Sequence, residues 1–243
     1  MQDSFHRNLI EEQDRIILFI GGGGKSTLIR RLNDDCTALH KKTIFLSFFL
    51  QKFPVESKTI IASDTKTIVH ATSREFKRHQ SLYIGKKYEN NALKPFSNSE
   101  IVNISKKING EHIFLEADHC EGKSLSTLKK VPAISTLNAD RCIFVIGADV
   151  LNQTYSKIWT NSSDNYWRQN KTFSPLNICA WYSENITLNR LLRRRIPVTC
   201  FINKVENTYT GNLALVLAKE LKKIGFDKVL TGSVFESSLQ VIK

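Results

Sequence analysis

Residues 15–27 read RIILFIGGGGKST. The six residues before the glycines are mostly apolar and rich in β-branched side chains, which predicts a short buried strand. Leu28, Ile29 and Leu32 then follow at helical spacing, which predicts a helix that begins near Lys25. A buried strand, a glycine-rich turn and a helix start, in this order, are the context in which a phosphate-binding loop occurs.

A phosphate-binding loop needs glycines so that successive backbone N–H groups can turn toward an anion in front of a helix N-terminus. It also needs a lysine and a hydroxyl group, and both follow the glycines in this chain. We expect Lys25 to reach the β and γ phosphates, and Ser26 or Thr27 to hold Mg²⁺. The loop residues predicted to bind nucleotide are Gly21, Gly22, Gly23, Gly24, Lys25, Ser26 and Thr27.

The predicted loop is shorter than the usual one. The spacing G-x-x-x-x-G-K-[ST] would place its first glycine where this chain has Phe19. The alternative is a plain flexible corner between a strand and a helix. Four consecutive glycines cost about 0.5–1 kcal/mol each relative to alanine in regular structure, so they favour the phosphate-binding interpretation.

Two carboxylates end a second predicted strand. Residues 113–118 read IFLEAD, so Glu116 and Asp118 stand two positions apart and would point the same way in an extended chain. In a phosphate-loop enzyme, one such carboxylate holds Mg²⁺ and the other orients the attacking water or acceptor hydroxyl. Solvated acids at an ordinary strand end are the alternative. We predict Lys25, Glu116 and Asp118 as catalytic residues, and Ser26, Glu116 and Asp118 as metal ligands.

A third strand end offers a site for the base. Residues 203–206 read NKVE after an apolar run. They resemble the NKxD motif with which GTP-binding proteins read guanine, with glutamate in place of aspartate. We predict that Asn203, Lys204 and Glu206 contact the nucleotide and that residues 231–233 close over the base. ATP and GTP both remain candidates.

Short apolar runs and helical patterns alternate along the rest of the chain, which is typical of a parallel sheet covered by helices on both faces. We predict an α/β fold, a three-layer αβα P-loop NTPase with a mostly parallel sheet, in a single domain over residues 1–243. Residues 81–95 are expected to form a small hairpin, and 154–175 an insertion or lid. Lys52, after the second predicted strand, is a candidate for contact with the γ phosphate.

The chain is basic and has an odd number of cysteines. Its formal charge of +12, from 35 Lys and Arg against 23 Asp and Glu, suits anionic partners without choosing among nucleotides, nucleic acid and membranes. The five cysteines form no CxxC pair, residues 1–14 contain no signal-peptide core, and the apolar runs are too short to span a bilayer. These features argue against a secreted disulfide scaffold, and we expect a cytoplasmic protein with no membrane span.

With these motifs in order, the chain resembles the selenium-dependent hydroxylase accessory family, the YqeC-like phosphate-loop proteins. The stretches that carry the resemblance are GGGGKST at 21–27, QKFP at 51–54, LEAD at 115–118, GADVL at 147–151 and INKVE at 202–206. The chain departs from the family at His119, where the family has glycine after EAD. The resemblance implies a role in the maturation of selenium-containing molybdenum hydroxylases, so the expected partner is a molybdenum or selenium enzyme or a cofactor intermediate.

The leading hypothesis is a Mg²⁺-dependent nucleoside triphosphatase that uses ATP or GTP and acts as an accessory or maturation factor for such enzymes. One alternative is a kinase that transfers the γ-phosphoryl group to a small acceptor, with residues 155–167 as a lid. Another is a nucleotide switch that binds nucleic acid through the basic residues at 193–195 and 222–223. A module that binds nucleotide without turnover is a further alternative.

Overall fold

The computed structural model describes residues 5–52, 58–120, 123–128, 131, 138–154, 172–194 and 196–242. The helices in this part of the chain are α1 (Phe5–Leu9), α2 (Lys25–Ala38), α3 (Thr65–Glu75), α4 (Asn98–Lys107), α5 (Pro175–Ser183), α6 (Ile186–Leu192) and α7 (Thr208–Ile224). The strands are β1 (Ile16–Gly21), β2 (Thr43–Ser47), β3 (Gln51–Lys52), β4 (Lys58–Ile61), β5 (Ser81–Gly85), β6 (Lys87–Glu89), β7 (Ala92–Lys94), β8 (His112–Glu116), β9 (Arg141–Gly147), β10 (Val198–Asn203), β11 (Lys228–Ser233) and β12 (Ser238–Val241).

The main sheet has nine strands in the order β12-β11-β10-β9-β1-β8-β2-β5-β4. Neighbouring strands are parallel except β11 and β12, which are antiparallel. The strands β1, β2, β8, β9 and β10 are buried along their whole length, as expected for parallel strands covered on both faces. The predicted α/β fold with a mostly parallel sheet is therefore confirmed.

Alternate residues of β1 enter two different hydrophobic cores, because successive side chains of a strand point to opposite faces. Ile16, Leu18 and Ile20 lie in the larger core, whereas Ile17 and Phe19 lie in the smaller one. Helices α1 and α2 cover the smaller core, and α3 to α7 contribute to the larger one. The protein thus has three layers, with helices on both faces of one sheet. None of the described helices is long and apolar enough to cross a bilayer.

Residues 81–95 are divided between two sheets. β5 joins the main sheet between β2 and β4, and its Leu82 and Ile84 are buried in the larger core. β6 and β7 form an antiparallel hairpin that turns at Asn90 and Asn91, with φ angles of 50° and 57°, and β3 adds a third strand. The hairpin is shorter than we expected because the apolar side chains of β5 are buried in the main core instead.

The expected insertion or lid at 154–175 lies mostly outside the described residues. At its two ends, Thr154 pairs with Thr172 in an antiparallel bridge. Helix α5 begins directly afterwards, with Ser174 as its N-cap, whose side chain accepts a hydrogen bond from the Asn177 N–H. The lid hypothesis for 155–167 lies wholly outside the described residues.

The parallel order gives the sheet two chemically different edges. The strands β1, β8, β9, β10 and β11 all end at one edge, which we call the carboxyl edge, and begin at the opposite amino edge. Ligands of open α/β sheets bind at the carboxyl ends of the strands. Helix α2 starts at the carboxyl edge directly after β1 and runs for 14 residues, about 21 Å at 1.5 Å per residue. It therefore extends back along the sheet toward the amino edge.

Candidate functional site

The glycine loop lies at the carboxyl edge between β1 and α2. Gly21, Gly23 and Gly24 have positive φ angles of 95°, 74° and 105°, which residues with a side chain rarely adopt. A Cβ atom on Gly21 would lie 2.1 Å from the Val145 carbonyl oxygen, and one on Gly23 would lie 2.1 Å from the Gly147 nitrogen. The glycines are therefore needed both for the turn of the backbone and for its close packing against β9.

Three N–H groups of the loop are engaged within the protein. The Gly21 N–H donates to Asp118 Oδ2 at 3.1 Å, and those of Gly22 and Gly23 donate to backbone carbonyl oxygens at 2.9 Å. Helix α2 has no side-chain cap, and the N–H groups of a first helical turn have no partner within their own helix. An anion at this loop would therefore be bound mainly by the first turn of α2, and less by the glycines than we expected from the sequence.

Lys25 is the first residue of α2 and is almost completely buried. Its Nζ donates to the Gly21 carbonyl oxygen at 2.6 Å. It also lies 3.7 Å from Glu116 Oε1 and 3.4 Å from Cys120 Sγ. A lysine ammonium is a compact charge with three donors, so in this position it can bind a phosphate group beside the loop.

Glu116 ends β8, and its backbone is paired with Phe19 on β1. Its Oε1 accepts a hydrogen bond from Ser26 Oγ at 3.4 Å, and the same oxygen faces Lys25. Hydroxyl and carboxylate oxygens are ligands that Mg²⁺ prefers, so the side chains of Ser26 and Glu116 fit a magnesium ion next to the loop. Thr27, the other candidate hydroxyl, is exposed at the next position of α2.

Asp118 contacts a different part of the loop from Glu116. It is buried, and its carboxylate accepts the Gly21 N–H, whereas Glu116 contacts side chains at the start of α2. The strand β8 ends at Glu116, so the extended geometry that would point both side chains the same way does not continue to Asp118. One carboxylate thus faces the loop backbone and the other faces the side chains of Lys25 and Ser26.

Asn203 ends β10 and joins three segments of the carboxyl edge. Its Nδ2 donates to the Gly23 carbonyl oxygen at 2.8 Å, and its Oδ1 accepts from the Val234 N–H at 3.0 Å. The side chain is buried, and both ends of its amide are engaged within the protein. Asn203 therefore positions the glycine loop against the turn between β11 and β12, and a direct contact with a base would require one of these bonds to break.

Lys204 and Glu206 follow Asn203 near the protein surface. Lys204 has a φ angle of 64°, and its Nζ donates to Asp149 Oδ2 at 2.7 Å and to Ser124 Oγ at 2.9 Å. Glu206 is exposed, and its Oε1 accepts from Ser233 Oγ at 3.3 Å. Ser233, at the end of β11, thus contacts Glu206. We expected the end of β11 to close over a base and Glu206 to read that base.

The segment 123–126 lies across the glycine loop, a contact that the sequence did not predict. The Lys123 carbonyl oxygen accepts the Gly23 N–H at 2.9 Å, and the Ser124 carbonyl oxygen accepts the Gly147 N–H at 2.8 Å. A Cβ atom on Gly22 would lie 2.6 Å from the Lys123 carbonyl oxygen. Every residue carries a backbone carbonyl group, so the residue types of this segment contain no signal for the contact.

The loop after β2 packs onto the loop after β8. The Phe48 N–H donates to the Glu116 carbonyl oxygen at 3.1 Å, and the rings of Phe49 and His119 stack with their centroids 5.6 Å apart. The side chain of His119 therefore packs on Phe49 and joins the two loops. The side chain of Lys52, the candidate for contact with the γ phosphate, lies outside the described part of the structure.

Comparison with protein families identifies a match that covers most of the chain. The family model described as YqeC protein matches residues 17–162, which is more than half of the chain. The matched range contains the glycine loop and both carboxylates, and it ends before the NKVE stretch. A search of curated proteins gave no match.

Proposed function

The chain belongs to the YqeC protein family, and we propose that it is a Mg²⁺-dependent protein that binds and hydrolyses a nucleoside triphosphate. The observation that carries the proposal is the position of one carboxylate oxygen. Glu116 Oε1 lies 3.4 Å from Ser26 Oγ and 3.7 Å from Lys25 Nζ. Hydroxyl, ammonium and carboxylate thus stand together at the start of a helix that follows a glycine loop, as phosphoryl transfer requires.

The phosphate groups would bind at the N-terminus of α2. The first-turn N–H groups and the positive end of the helix dipole attract an anion, and the buried Lys25 adds a full positive charge. The Gly21 carbonyl oxygen and Glu116 hold the ammonium group in place before any ligand binds. Such preorganised charge lowers the cost of stabilising the negative charge that develops on the transferred phosphoryl group.

Ser26 and Glu116 would hold the magnesium ion, which neutralises charge on the phosphate oxygens when it is bound. Asp118 fixes the loop backbone through Gly21 and is the second carboxylate that can orient the attacking water. Lys25, Glu116 and Asp118 are therefore the residues to which we assign catalysis.

The base would bind near Lys204 and Glu206. The exposed Glu206 carboxylate can accept hydrogen bonds from the N1 and N2 hydrogens of guanine, and Ser233 already orients it. Phe235 follows on the same turn and is 90% exposed, and an exposed aromatic ring is a surface on which a base stacks favourably. Asn203 supports this region indirectly by tying the turn to the glycine loop.

We further propose that the nucleotide controls an accessory role in the maturation of a selenium- or molybdenum-containing enzyme, the role that the family resemblance implies. The segment 123–126 supports such control, because it contacts both the loop and the predicted base-reading region. Its Lys123 carbonyl oxygen accepts the Gly23 N–H, and its Ser124 hydroxyl accepts from Lys204. Through segment 123–126, a change in the bound phosphate groups is connected to the surface near Lys204, which a partner can contact.

Thermal-shift titration with ATP, GTP and their diphosphates, with and without Mg²⁺, tests nucleotide binding. A ligand at 100 times its dissociation constant stabilises the folded state by about 2.7 kcal/mol, so a triphosphate should raise the melting temperature more with Mg²⁺ than without it. Release of inorganic phosphate without any added acceptor tests hydrolysis, whereas phosphate that appears only on an added acceptor would indicate a kinase.

Lys25→Ala should abolish the nucleotide-dependent shift, because it removes the one charged donor of the loop. Lys66→Ala is the matched control, since Lys66 is an exposed lysine in the first turn of another helix, α3. It should respond to nucleotide like the wild type. A Lys25→Ala variant that keeps wild-type affinity, or a wild type that no nucleotide stabilises, would overturn the proposal.

A further inference from the structure

Three side chains of metal-ligand type meet at the amino edge of the sheet. His6 lies on α1, Cys36 near the end of α2 and His112 at the first position of β8. One ligand atom from each side chain lies within 4.8 Å of the other two, and none of the three residues is more than 3% exposed. None of them takes part in the glycine-loop site, which lies at the opposite edge.

The two histidines face each other through their Nε2 atoms, which are 3.2 Å apart. His112 Nδ1 lies 2.6 Å from the Asp14 carbonyl oxygen. A carbonyl oxygen only accepts hydrogen bonds, so Nδ1 of His112 carries the proton, and the lone pair of the neutral ring is on the Nε2 that faces His6. A backbone carbonyl that binds the Nδ1–H is a common way to orient a metal-ligating histidine.

The spacing of the ligand atoms fits a tetrahedral ion. With Zn–N bonds of about 2.0–2.1 Å, two nitrogen ligands of tetrahedral Zn²⁺ are about 3.3 Å apart, close to the 3.2 Å between the Nε2 atoms. A Zn–S bond of about 2.3 Å places the sulfur about 3.6 Å from each nitrogen. In the structure, no two of the three ligand atoms are more than 4.8 Å apart. The two nitrogens therefore already have the spacing of ligands that share one ion, and the Cys36 sulfur lies within 4.8 Å of both.

The imidazole of His6 is hydrogen-bonded through only one of its two nitrogens. His6 Nδ1 is buried and has no hydrogen-bond partner among the described residues, which is unfavourable for a buried acceptor or donor. The neutral imidazole is the form that binds metal, and the contact of His112 Nδ1 with a carbonyl oxygen leaves its Nε2 as the free ligand atom.

Charges of both signs surround the cluster. Asp35 Oδ2 accepts the His6 backbone N–H at 3.1 Å and is paired with Arg31 at 3.1 Å. Lys41 is paired with Glu12 at 3.7 Å. The metal assignment therefore rests on the geometry of the three ligand atoms and not on the surrounding charge.

A surface cavity of about 570 Å³ lies beside the cluster, and it is lined by His6 together with Glu12, Lys41 and neighbouring residues. Three protein ligands with a water molecule in the fourth position are the pattern of open zinc sites. The cavity side of His6 is where such a water molecule would enter.

We propose that His6, Cys36 and His112 bind one zinc-type transition-metal ion through two imidazole nitrogens and a thiolate. Nitrogen and sulfur ligands suit Zn²⁺ and Co²⁺, whereas Mg²⁺ prefers oxygen. Binding breaks the S–H bond of Cys36, forms a metal–sulfur bond and releases the proton to solvent. The ion fastens α1 to β8 and to the end of α2 that lies about 17 Å along the helix from Lys25.

Metal binding by the untagged full-length chain tests the proposal. Protein stripped with a chelator is dialysed against ZnCl₂ or CoCl₂ and then analysed for bound metal. We expect one Zn²⁺ per chain, and we expect Co²⁺ to give the near-ultraviolet charge-transfer absorption of a thiolate ligand. A wild type that binds neither ion, or that binds Co²⁺ without this absorption, overturns the proposal.

Cys36→Ser and His112→Gln should each weaken Zn²⁺ binding by on the order of 100-fold or more, with far-ultraviolet circular dichroism to show that the variants fold. Cys142→Ser is the matched control, because Cys142 is equally buried but belongs to the other core. It should keep both the Zn²⁺ affinity and the Co²⁺ absorption. Unchanged affinity in a folded Cys36→Ser contradicts the proposal. If that variant does not fold, the Co²⁺ spectra of the wild type and His6→Gln decide, since the thiolate absorption should be present in the first and lost in the second.

Discussion

At the carboxyl edge of the sheet, the candidate nucleotide site is built around one short loop. At the amino edge, the candidate metal site is built from side chains that are far apart in the sequence. Lys25 and Ser26 directly follow the glycines, whereas His6, Cys36 and His112 come from two helices and a strand. The comparison teaches that a site made by a local turn leaves a motif in the sequence, while a site made by packing does not.

One ion pair at each edge shows a second contrast, in burial. At the amino edge, Arg141 donates from Nε to Asp14 with both side chains buried, and Glu11 contacts the same guanidinium group. At the carboxyl edge, Lys204 pairs with Asp149, and both side chains are partly exposed. Loss of one partner should therefore cost more in the Arg141–Asp14 pair, because a buried charge that loses its partner cannot be solvated.

The largest expected effect tests this difference directly. Asp14→Ala leaves the Arg141 charge buried without its main partner and should lower the free energy of unfolding by about 3–5 kcal/mol. Asp149→Ala, which breaks the exposed pair with Lys204, should cost less than about 1 kcal/mol. Urea unfolding of the two variants measures both values. Equal costs would contradict the expected difference between the buried pair and the exposed pair.

The second prediction concerns the backbone of the glycine loop. Gly23→Ala should lower the free energy of unfolding by about 3 kcal/mol, because the new Cβ meets the Gly147 nitrogen at 2.1 Å and φ is 74°. It should also weaken nucleotide binding. Gly225→Ala is the control, since φ is 110° there but a Cβ would have nothing within 4 Å.

Gly225→Ala should cost only about 1 kcal/mol, the strain of a positive φ angle alone. The same denaturant titration separates the two variants. Equal destabilisation of the two variants would contradict this prediction. It would mean that the stability of the glycine loop depends on its backbone conformation and not on its close packing against β9.

The smallest effect is expected at a local feature that belongs to neither site. Glu100 forms a capping box with Ser97 at the start of α4, and Lys86 donates to it at 2.8 Å. The hydrogen bond from Lys86, followed by those from Ser97, lowers the pKa of Glu100 to about 2. Glu100→Gln should therefore cost only about 1 kcal/mol at pH 7.

The pH dependence of this cost has a definite sign. The pKa of Glu100 in the folded state is below the ordinary value of 4.5, so its contribution is fully present above about pH 4.5 and is lost as the pH falls toward about 2. The difference in unfolding free energy between Glu100→Gln and the wild type should shrink over this range. A difference that stays constant down to pH 2 would contradict the assigned cause of the shift.

Several parts of the fold could be predicted because their signal is local. The apolar runs of β1, β8 and β10 are continuous and end in glycine, Glu116 and Asn203, so their strands and the position of Glu116 and Asn203 at one edge follow from the sequence. β5 was expected to lie in a hairpin, since Gly85 and the pair Asn90 and Asn91 are turn signals. In the structure, Leu82 is buried in the larger core and β5 is a strand of the main sheet.

The details of the candidate site could be predicted only in part. The residue types at 21–27 and 116–118 indicate phosphate and magnesium chemistry, but not that the Gly21 N–H is bound by Asp118. Nor do they indicate that the amide of Asn203 is engaged at both ends. These contacts depend on distances between strands that are neighbours or next-nearest neighbours in the sheet and remote in the chain.

The sequence by itself determined the α/β fold, the family and the glycine loop before a helix, because strand burial, helical spacing and the conformational freedom of glycine are properties of neighbouring residues. The tertiary structure alone decided which donors of the loop remain for an anion and which side chains meet at the amino edge. His6, Cys36 and His112 are separated by 29 and 75 intervening residues. They come together because α1, α2 and β8 pack against one another, and packing of distant elements leaves no pattern in the sequence.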